Sequence, residues 1–397
     1  MSDKKPISLY IHIPFCRNRC GYCDFNTYVG LNHLLEKYID CVLEEIAIFS
    51  TLFNSENFVQ TIYFGGGTPT IMPVSYFEKI INTISDHFTM VVVPEISTEA
   101  NPKELKMDYL SRLHDAGINR LSIGMQSAVI KELEILERLQ NPEDVSQAVF
   151  NAKQAGFKNI SLDLIYGIPT QTLGSFELSV ESAVSFEPQH LSIYGLSLEP
   201  STPLAKKIRN GYIPGVDEDM AGDMYAWVMD RMHTKSFEQY EISNWALENN
   251  DFDFRCLHNL QYWKNKDYLG IGAGAHSFIG NRRWSNAKLI QNYIGSISKD
   301  KLSSEFGHAA IAEYKQLSKV DIIKETMMMG LRLTEEGINT EQFQKRFSLK
   351  IEDVYFDQIK KLIALGLLEF KTINDSRILR LTKKGRMVGN QVFLEFI

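Results

Sequence analysis

The sequence predicts an α/β fold, a partial (β/α)6 barrel with an extension, followed by a small winged-helix-like α+β domain. β-rich runs alternate with helical patterns over the first half of the chain, an order that favours parallel strands joined by right-handed crossovers. Five of these runs end in cysteine, glycine or polar residues. Later helices and a hairpin signal at Asn374-Asp375 predict the second domain. We expect the barrel and its extension over residues 1–293 and the second domain over 307–397, with a polar linker over 294–306.

Six strands are predicted in the barrel, with helices between them. The strands are residues 7–13, 61–64, 91–99, 120–126, 160–167 and 190–196. The helices located by apolar periodicity are residues 34–49, 106–116, 128–139, 142–155 and 175–186. In such barrels the carboxyl ends of the strands meet at one face, where ligands bind. We therefore expect the functional residues to follow the strands.

The first strand leads into a loop that holds three of the five cysteines, Cys16, Cys20 and Cys23. Thiolates at this spacing can hold three corners of an iron–sulfur cube, whose four irons need four ligands. The fourth iron is then open to an amine and a carboxylate, as in methionine or S-adenosylmethionine. Cys41 lies in a helical pattern and is interpreted as a structural thiol. The cysteines thus indicate a metal site in a reducing compartment, not a disulfide framework.

Composition and charge exclude several classes of protein. The chain is 44% hydrophobic and 23% charged, as in an ordinary globular protein. A net charge of -7 argues against electrostatically driven binding of nucleic acid. No apolar run approaches the ~20 residues of a membrane span, and the amino terminus lacks the pattern of a signal peptide. We therefore expect a cytoplasmic protein without an integral membrane segment.

Later strand ends carry residues suited to ligand binding. Gly65-Gly66-Gly67 follows the second strand, and glycines there let a ligand approach the backbone closely. Glu99, Gln126 and Asp163 lie at the ends of the next three strands. Each of these features alone is compatible with a tight turn or a solvated loop. Their recurrence at successive strand ends predicts one shared ligand site.

Six stretches together resemble the coproporphyrinogen-oxidase-like branch of the radical S-adenosylmethionine superfamily, and the resemblance covers nearly the whole chain. They are residues 10–16, 64–69, 99–102, 120–124, 163–169 and 258–263. The resemblance implies a [4Fe-4S] cluster ligated by Cys16, Cys20 and Cys23. It also implies S-adenosylmethionine contacts from Tyr10, Phe25, Gly66, Gly67, Thr68, Glu99, Gln126, Arg138 and Asp163. No side chain is assigned a catalytic role, because in this superfamily the cofactor carries the radical chemistry.

Two of three departures from the family pattern favour its heme-chaperone members over the coproporphyrinogen oxidases. The oxidases carry a further cysteine two positions after the third, where this chain has Phe25. They also have a longer segment ahead of the cysteine motif. In the run 136–140 this chain lacks a glycine and a histidine that relatives usually have on either side of the arginine. Arg138 itself is retained, so its expected pairing with the carboxylate of S-adenosylmethionine is kept.

A later stretch, residues 255–263, places a thiol, an imidazole and two aromatic rings close together in sequence. Cysteine and histidine are both axial heme ligands, and aromatic rings pack against porphyrins. The spacing alone favours a buried loop pinned by Trp263. The family resemblance instead favours heme contact, with His258 as the first candidate ligand and Cys256 as the second. The glycine-rich run 268–276 lacks the spacing of a dinucleotide loop, and we expect a close-packed turn near the barrel mouth.

The second domain is expected to contain helices at 320–332, 341–347 and 351–365. Because the positive and negative charges of this domain nearly balance, we do not expect it to bind DNA. We favour a role in partner docking or as a lid. The leading hypothesis for the whole chain is a radical-SAM-type protein that binds heme and transfers it to an acceptor protein. The alternatives are an oxygen-independent coproporphyrinogen III oxidase and a heme carrier with a purely structural cluster. An electron donor is required if S-adenosylmethionine is cleaved.

Overall fold

A computed structural model describes residues 4–53, 57–297 and 308–397, which include seventeen strands and sixteen α-helices. The strands are β1 Lys5–Ile13, β2 Phe15–Cys16, β3 Tyr28–Val29, β4 Asn57–Gly66, β5 Met90–Ala100, β6 Arg120–Gln126, β7 Asn159–Tyr166, β8 His190–Gly195, β9 Phe237–Glu241, β10 Asn244–Leu247, β11 Tyr268–Ile271, β12 His276–Ile279, β13 Arg282–Asn286, β14 Ile311–Gln316, β15 Ile338–Asn339, β16 Leu368–Ile373 and β17 Ser376–Leu381. The helices are α1 Leu35–Phe53, α2 Val74–His87, α3 Met107–Asp115, α4 Ile130–Ile135, α5 Pro142–Gln154, α6 Leu173–Ser185, α7 Pro203–Arg209, α8 Glu218–His233, α9 Leu257–Trp263, α10 Ile290–Ile297, α11 Lys319–Gly330, α12 Thr340–Phe347, α13 Ile351–Val354, α14 Phe356–Ala364, α15 Lys383–Met387 and α16 Gly389–Leu394. Short 3₁₀ helices lie at Asn32–Leu34, Pro69–Ile71 and Pro102–Glu104.

The six predicted barrel strands are all present, and they are hydrogen-bonded in chain order. The large sheet has the order β14-β13-β12-β11-β1-β4-β5-β6-β7-β8-β10-β9. Every pairing from β1 through β8 within this sheet is parallel. The predicted partial (β/α)6 barrel is therefore confirmed. One predicted helix, 128–139, is much shorter than expected, because the chain leaves α4 at Leu136 and Glu137 adopts a positive φ of 56°.

A seventh parallel strand, β11, lies on the other side of β1. The sequence prediction of a close-packed turn over 268–276 was wrong for residues 268–271, whereas residues 272–275 do form a close-packed turn. Gly270 lies within the strand and has backbone atoms of His276 packed where a Cβ would project. The glycines that allow this close approach also obscured the strand pattern, because glycine is depleted in strands. The antiparallel strands β12, β13 and β14 then continue the sheet.

Helix α1 joins the barrel to this additional part of the sheet. Its buried stripe of Tyr38, Val42, Ile46 and Phe49 has the spacing of one helical face. Glu45 on the same helix is fully buried and accepts hydrogen bonds from the Gly272 amide at 2.8 Å, Asn286 Nδ2 at 2.6 Å and the Tyr293 hydroxyl at 2.5 Å. His308 Nε2 lies 2.9 Å from the same carboxylate. These bonds satisfy the buried carboxyl oxygens of Glu45 and fix α1 to the turn that follows β11.

The interior of the barrel is polar. Strand alternation places Ser8, Tyr10 and His12 on the inner face of β1 and its aliphatic residues under the helices. Helix α9 enters the barrel at the amino-terminal ends of the strands. The His258 ring stacks on Tyr63 with 5.1 Å between the ring centroids, and Glu95 of β5 accepts hydrogen bonds from the backbone amides of Leu257 and His258. Helix α9 therefore forms a floor beneath the barrel interior.

The carboxyl-terminal part has its own core and a three-stranded sheet of order β15-β17-β16. Asn374 and Asp375 have positive φ angles and form the predicted hairpin turn between β16 and β17. The predicted single helix 351–365 is instead divided at Tyr355, whose backbone is not helical, with φ -129° and ψ 35°. Val354 and Ile363, apolar residues on these two helices, are exposed.

The predicted boundary between residues 293 and 307 remains a prediction. Helix α10 runs through Ile297, and the predicted linker residues 298–306 lie outside the described residues. Strand β14 belongs to the large sheet although it follows that boundary. The carboxyl-terminal part packs against α9 and β9: the Arg332 guanidinium lies 4.4 Å from the Trp263 ring, and Arg386 donates to Gln239 at 3.0 Å. Within the described residues, no helix is long and apolar enough to cross a membrane.

Candidate cofactor site

A cavity of about 640 Å³ opens at the carboxyl ends of the barrel strands and extends down to α9. It brings together nearly all the residues that the sequence singled out. The predicted site residues that line it are Tyr10, Cys16, Cys20, Cys23, Phe25, Gly66, Gly67, Thr68, Glu99, Gln126, Arg138, Asp163 and His258. Cys256 is fully buried and does not line it. No residue beyond Tyr262 among those described lines this cavity, so the carboxyl-terminal part does not cover it as a lid.

The cysteine loop is held at the rim by backbone contacts. β2 pairs with β3 in parallel at its start, and the Cys23 amide donates to the Cys20 carbonyl at 3.2 Å in a turn. The Gly21 amide donates to the Leu136 carbonyl at 3.0 Å. A Cβ at Gly21 would lie 2.9 Å from the Glu137 carboxyl carbon, so glycine permits this close approach. The loop is thereby attached to the segment that carries Arg138.

Two hydrogen-bond donors face the sulfur atoms of this loop. Arg138 Nη1 lies 3.3 Å from Cys20 Sγ, and the Thr68 hydroxyl lies 3.7 Å from Cys16 Sγ. Burial raises the pKa of the Cys16 thiol to about 11. Coordination to a metal removes the thiol proton in spite of such a shift. The donors are suited to stabilising thiolate ligands.

The three thiols fit a cluster rather than a single metal ion. Across 4–53, 57–297 and 308–397, no three histidine, cysteine or acidic side chains converge closely enough to hold one ion. In a [4Fe-4S] cube each cysteine ligates a different iron, so its ligands stand further apart than the ligands of one ion. Cys41 and Cys256 are buried elsewhere, and Phe25 stands at the rim. The loop therefore offers three thiols, one fewer than the number of irons in such a cluster.

Arg138 is oriented by contacts that the sequence did not reveal. Its Nη2 donates to the Gly124 carbonyl at 3.0 Å and its Nε to Gln140 Oε1 at 2.9 Å. Gln140 in turn donates to the carbonyls of Gly124 and Met125. With the bond to Cys20, three of the five guanidinium N–H groups are engaged and two are left for a ligand. Gln140 is thus a positioning residue, and only its proximity to Arg138 in sequence could have indicated it.

Two carboxyl groups face the cavity from β5 and β7, the strands on either side of β6. Glu99 accepts from the Gly66 amide at 3.0 Å and from the Tyr63 hydroxyl at 3.2 Å. Asp163 accepts from the Ser122 hydroxyl at 2.9 Å. Burial raises the pKa of Glu99 to about 7 and that of Asp163 to about 6. Both groups therefore change charge near neutral pH, as is common at functional sites.

The glycine turn and Gln126 show the local geometry expected of a ligand site. Gly66 has a φ of 111°, and a Cβ at Gly67 would lie 2.5 Å from the Phe15 carbonyl oxygen. Both positions therefore require glycine. Gln126 has a φ of 69°, which is uncommon for a residue other than glycine and occurs more often at functional sites. The Tyr194 hydroxyl donates to its Oε1 at 3.2 Å, and its amide nitrogen is left to donate.

On the floor, both ring nitrogens of His258 are hydrogen-bonded. Nδ1 lies 2.9 Å from the Thr61 hydroxyl and Nε2 lies 3.0 Å from the Tyr262 hydroxyl. Thr61 donates its own hydrogen to Ser8 at 2.7 Å. We therefore assign the proton to Nδ1, which leaves a lone pair on Nε2 that accepts from Tyr262. Burial lowers the pKa of His258 to about 3, so the ring is neutral.

Cys256 has a different environment from His258. Its thiol lies 3.8 Å from Glu95 Oε1, and burial raises its pKa to about 12. A protonated thiol outside the cavity is poorly suited to binding a metal. The assignment of either residue as a heme ligand stays a prediction, and the geometry favours His258 over Cys256.

A six-stranded parallel partial barrel with a three-cysteine loop at its carboxyl face defines the class as radical S-adenosylmethionine proteins. Residues 10–183 match the radical SAM superfamily, and residues 317–388 match the HemN C-terminal domain. The chain is 33% identical to the heme chaperone HemW of Lactococcus lactis, with 99% of this chain and 98% of that protein covered. It is 34% identical to the heme chaperone HemW of Bacillus subtilis, over 98% and 99% of the two chains. The chain belongs to the HemW family of the radical SAM superfamily.

A solved structure with a similar fold is the coproporphyrinogen III oxidase HemN from Escherichia coli, described as a radical SAM enzyme. The TM-score is 0.83 at 24% sequence identity, over 99% of this chain and 90% of that one. This likeness shows the fold alone. The cofactors of the superfamily to which the chain belongs are a [4Fe-4S] cluster and S-adenosylmethionine, and the three thiols and the cavity beside them fit both groups.

Proposed function

We propose that this protein is a heme chaperone, which binds a [4Fe-4S] cluster, S-adenosylmethionine and heme and transfers heme to an acceptor protein. The observation that carries the proposal is the full-length similarity, at 33% and 34% identity, to two proteins named heme chaperone HemW. The cavity supports it, because one continuous space connects the three-cysteine loop to His258. The predicted boundary near residue 300 forms part of the proposal, with the carboxyl-terminal domain as a docking unit.

In this proposal Cys16, Cys20 and Cys23 ligate the cluster. The two free N–H groups of Arg138 bind the carboxylate of S-adenosylmethionine, and backbone carbonyls of the glycine turn bind its ammonium group. The remaining predicted contacts surround the nucleoside part: Tyr10, Phe25, Thr68, Glu99, Gln126 and Asp163. When bound and reduced, this cofactor pair supplies a 5′-deoxyadenosyl radical. Reductive cleavage of S-adenosylmethionine needs an electron, which a donor protein has to supply.

The proposed heme ligand is His258. Its Nε2 lone pair is already oriented, because Thr61 and Ser8 hold the proton on Nδ1. A hydrogen bond on one ring nitrogen commonly fixes the tautomer of a metal-binding histidine in this way. The Tyr262 hydroxyl covers Nε2, so heme iron has to displace it. Tyr262 therefore controls the access of heme iron to His258 Nε2.

The side chain at position 25 separates this proposal from coproporphyrinogen oxidation. Phe25 is 61% exposed at the cavity rim, where it presents an apolar ring instead of a further thiol. Similarity to the Escherichia coli oxidase concerns the fold and does not transfer its activity. An anaerobic assay with coproporphyrinogen, S-adenosylmethionine and a reductant distinguishes the two functions, and formation of the decarboxylated product would overturn the chaperone proposal.

The direct test is heme binding by the anaerobically reconstituted protein and its His258→Ala variant. We expect the variant to lose the Soret band of the bound heme and the transfer of heme to apo-acceptors. His190→Ala is the matched control, because His190 is also a buried histidine of the cavity whose two nitrogens are hydrogen-bonded, to Ser161 and Tyr240. An identical spectrum and affinity in His258→Ala would remove His258 from the proposal. Because the cluster thiols need reducing conditions, we place the protein in the cytoplasm.

A further inference from the structure

The floor of the cavity contains a buried cation without a partner. Arg120, the first residue of β6, is 2% exposed and lines the cavity. Its Nε is buried and makes no hydrogen bond, and its guanidinium forms no ion pair within 4 Å with any of the residues that the structure describes. A buried guanidinium normally requires hydrogen-bonded or charged partners. The missing partner is therefore expected to be a ligand.

The nearest acidic groups are committed to other contacts. Glu95 Oε2 accepts from the Leu257 amide at 2.9 Å, and its Oε1 accepts from the His258 amide at 3.0 Å. Asp163 accepts from Ser122 and Ser161. Both carboxylates interact electrostatically with the Arg120 guanidinium, but neither lies within ion-pairing distance of it. The negative groups of the barrel thus stabilise the charge without satisfying its N–H donors.

A second donor on the same floor is also available. Asn259 of α9 lines the cavity, and its side chain forms no hydrogen bond with the described residues. Asn259 follows Cys256 by three residues, and the charge of Arg120 acts on the Cys256 thiol, so both residues belong to the part of the cavity next to the start of α9. A guanidinium fork and an amide that line the same cavity are the two kinds of donor suited to the two oxygens of a carboxylate.

This pair lies below Arg138 and Gln126, and the proposed contact Asp163 lies between the two levels, paired with Gly124 of β6. Gln126 is at the other end of β6, six residues from Arg120, or roughly 20 Å along an extended strand. The carboxylate of S-adenosylmethionine is already assigned to Arg138 at the rim. The walls between the two levels include the rings of Tyr10, Tyr63 and His258, with centroid separations of 6.3 Å for the first pair and 5.1 Å for the second. Flat aromatic walls above a carboxylate site suit a flat ligand that carries carboxylates.

We propose that Arg120 and Asn259 form a carboxylate-binding subsite on the floor of the barrel, which receives a propionate-type carboxylate of the ligand. The carboxylate belongs either to the tetrapyrrole or to a free small carboxylic acid. The tetrapyrrole source rests on the proposed heme-chaperone function, and the subsite itself does not. The test compares three probes: iron protoporphyrin IX, its dimethyl ester, which has no carboxylates, and free propionate.

With the reconstituted wild-type protein we expect iron protoporphyrin IX to bind at least about tenfold more tightly than the dimethyl ester, because hydrogen bonds to charged groups contribute strongly. In Arg120→Gln the affinities of the two probes should become nearly equal. Lys103→Gln is the matched control, because it removes a positive charge from the exposed rim of the same cavity. Its ratio of affinities for the two porphyrins should equal that of the wild type. Circular dichroism and cluster absorbance establish that each variant is folded.

Each result decides between the possibilities. The tetrapyrrole source is overturned if the wild type binds iron protoporphyrin IX and its dimethyl ester about equally tightly, or if folded Arg120→Gln keeps the wild-type ratio of these affinities. In either case, binding of heme still supports the proposed function. If the wild type binds neither porphyrin, the proposed function fails. Propionate is then tested as a ligand that protects against thermal unfolding. If propionate protects the wild type but not Arg120→Gln, the subsite binds a free acid. If it protects neither protein, the subsite is overturned. If Arg120→Gln does not fold, Asn259→Ala replaces it, and an unchanged ratio and unchanged protection by propionate in that variant overturn the proposal.

Discussion

The raised pKa of Glu99 predicts that the cofactor-free protein becomes less stable as pH rises toward neutrality. Burial shifts this pKa from 4.5 to about 7. Below about pH 4.5 the carboxyl is protonated in both the folded and the unfolded chain, and ionisation costs nothing. As pH rises, the unfolded chain releases its proton first, so the free energy of unfolding falls until about pH 7. At about 1.4 kcal/mol for each pKa unit, the loss is about 3 kcal/mol.

Replacing Glu99 with glutamine removes this pH-dependent loss. We expect the free energy of unfolding of Glu99→Gln, relative to the wild type, to increase by about 2–3 kcal/mol between about pH 5 and about pH 8. The comparison across pH is decisive, because glutamine also changes the contacts to Gly66 and Tyr63 by an amount that does not depend on pH. The measurement is urea unfolding followed by tryptophan fluorescence, with the same substitution at exposed Glu134 as a control. Parallel pH profiles for the wild type and Glu99→Gln would refute the burial argument.

Three further predictions concern the cofactors. Cys20→Ser should abolish the visible absorbance of the reconstituted cluster, while Cys41→Ser should keep it; a retained cluster in Cys20→Ser would refute the three-thiolate assignment. Arg138→Lys keeps the charge but loses the planar fork, so S-adenosylmethionine affinity measured by calorimetry should fall at least about tenfold, and an unchanged affinity would exclude Arg138 from the carboxylate contact. Tyr262→Phe removes the hydroxyl that covers His258 Nε2. It should therefore speed the appearance of the Soret band in stopped-flow mixing, and slower binding would contradict the access role of Tyr262.

Much of the barrel could be predicted from the sequence because its signals are local. Four of the six predicted strands are followed by a predicted helix, and right-handed crossovers then leave few possible strand orders. Helix α2, after the second strand, was not predicted. The carboxyl ends of parallel strands meet, so residues such as Gly66, Glu99 and Asp163 could be expected to share a site before any coordinates were known. The hairpin turn at Asn374-Asp375 was equally local, since both residues tolerate positive φ angles.

Other elements depended on contacts that the sequence pattern does not encode. The short strand β11 contains a glycine and pairs with β1, which lies far away in the chain. The division between α13 and α14 coincides with Tyr355, whose ring packs on Phe396 at 5.1 Å instead of continuing a helix. Gln140 and Tyr63 became recognisable as positioning residues only when Arg138 and Glu99 were seen beside them.

The sequence by itself determined the class of cofactor, because the spacing of Cys16, Cys20 and Cys23 within one loop limits which metal centre they can hold. Only the tertiary structure decided how the later motif is used. Helix α9 closes the amino-terminal end of the barrel, which brings His258 into the cavity and leaves Cys256 outside it. The same packing places Asn259 in the lining of the cavity that Arg120 also lines. The physical reason is that ligand spacing is a property of neighbouring residues, whereas burial and access depend on which distant strands a helix packs against.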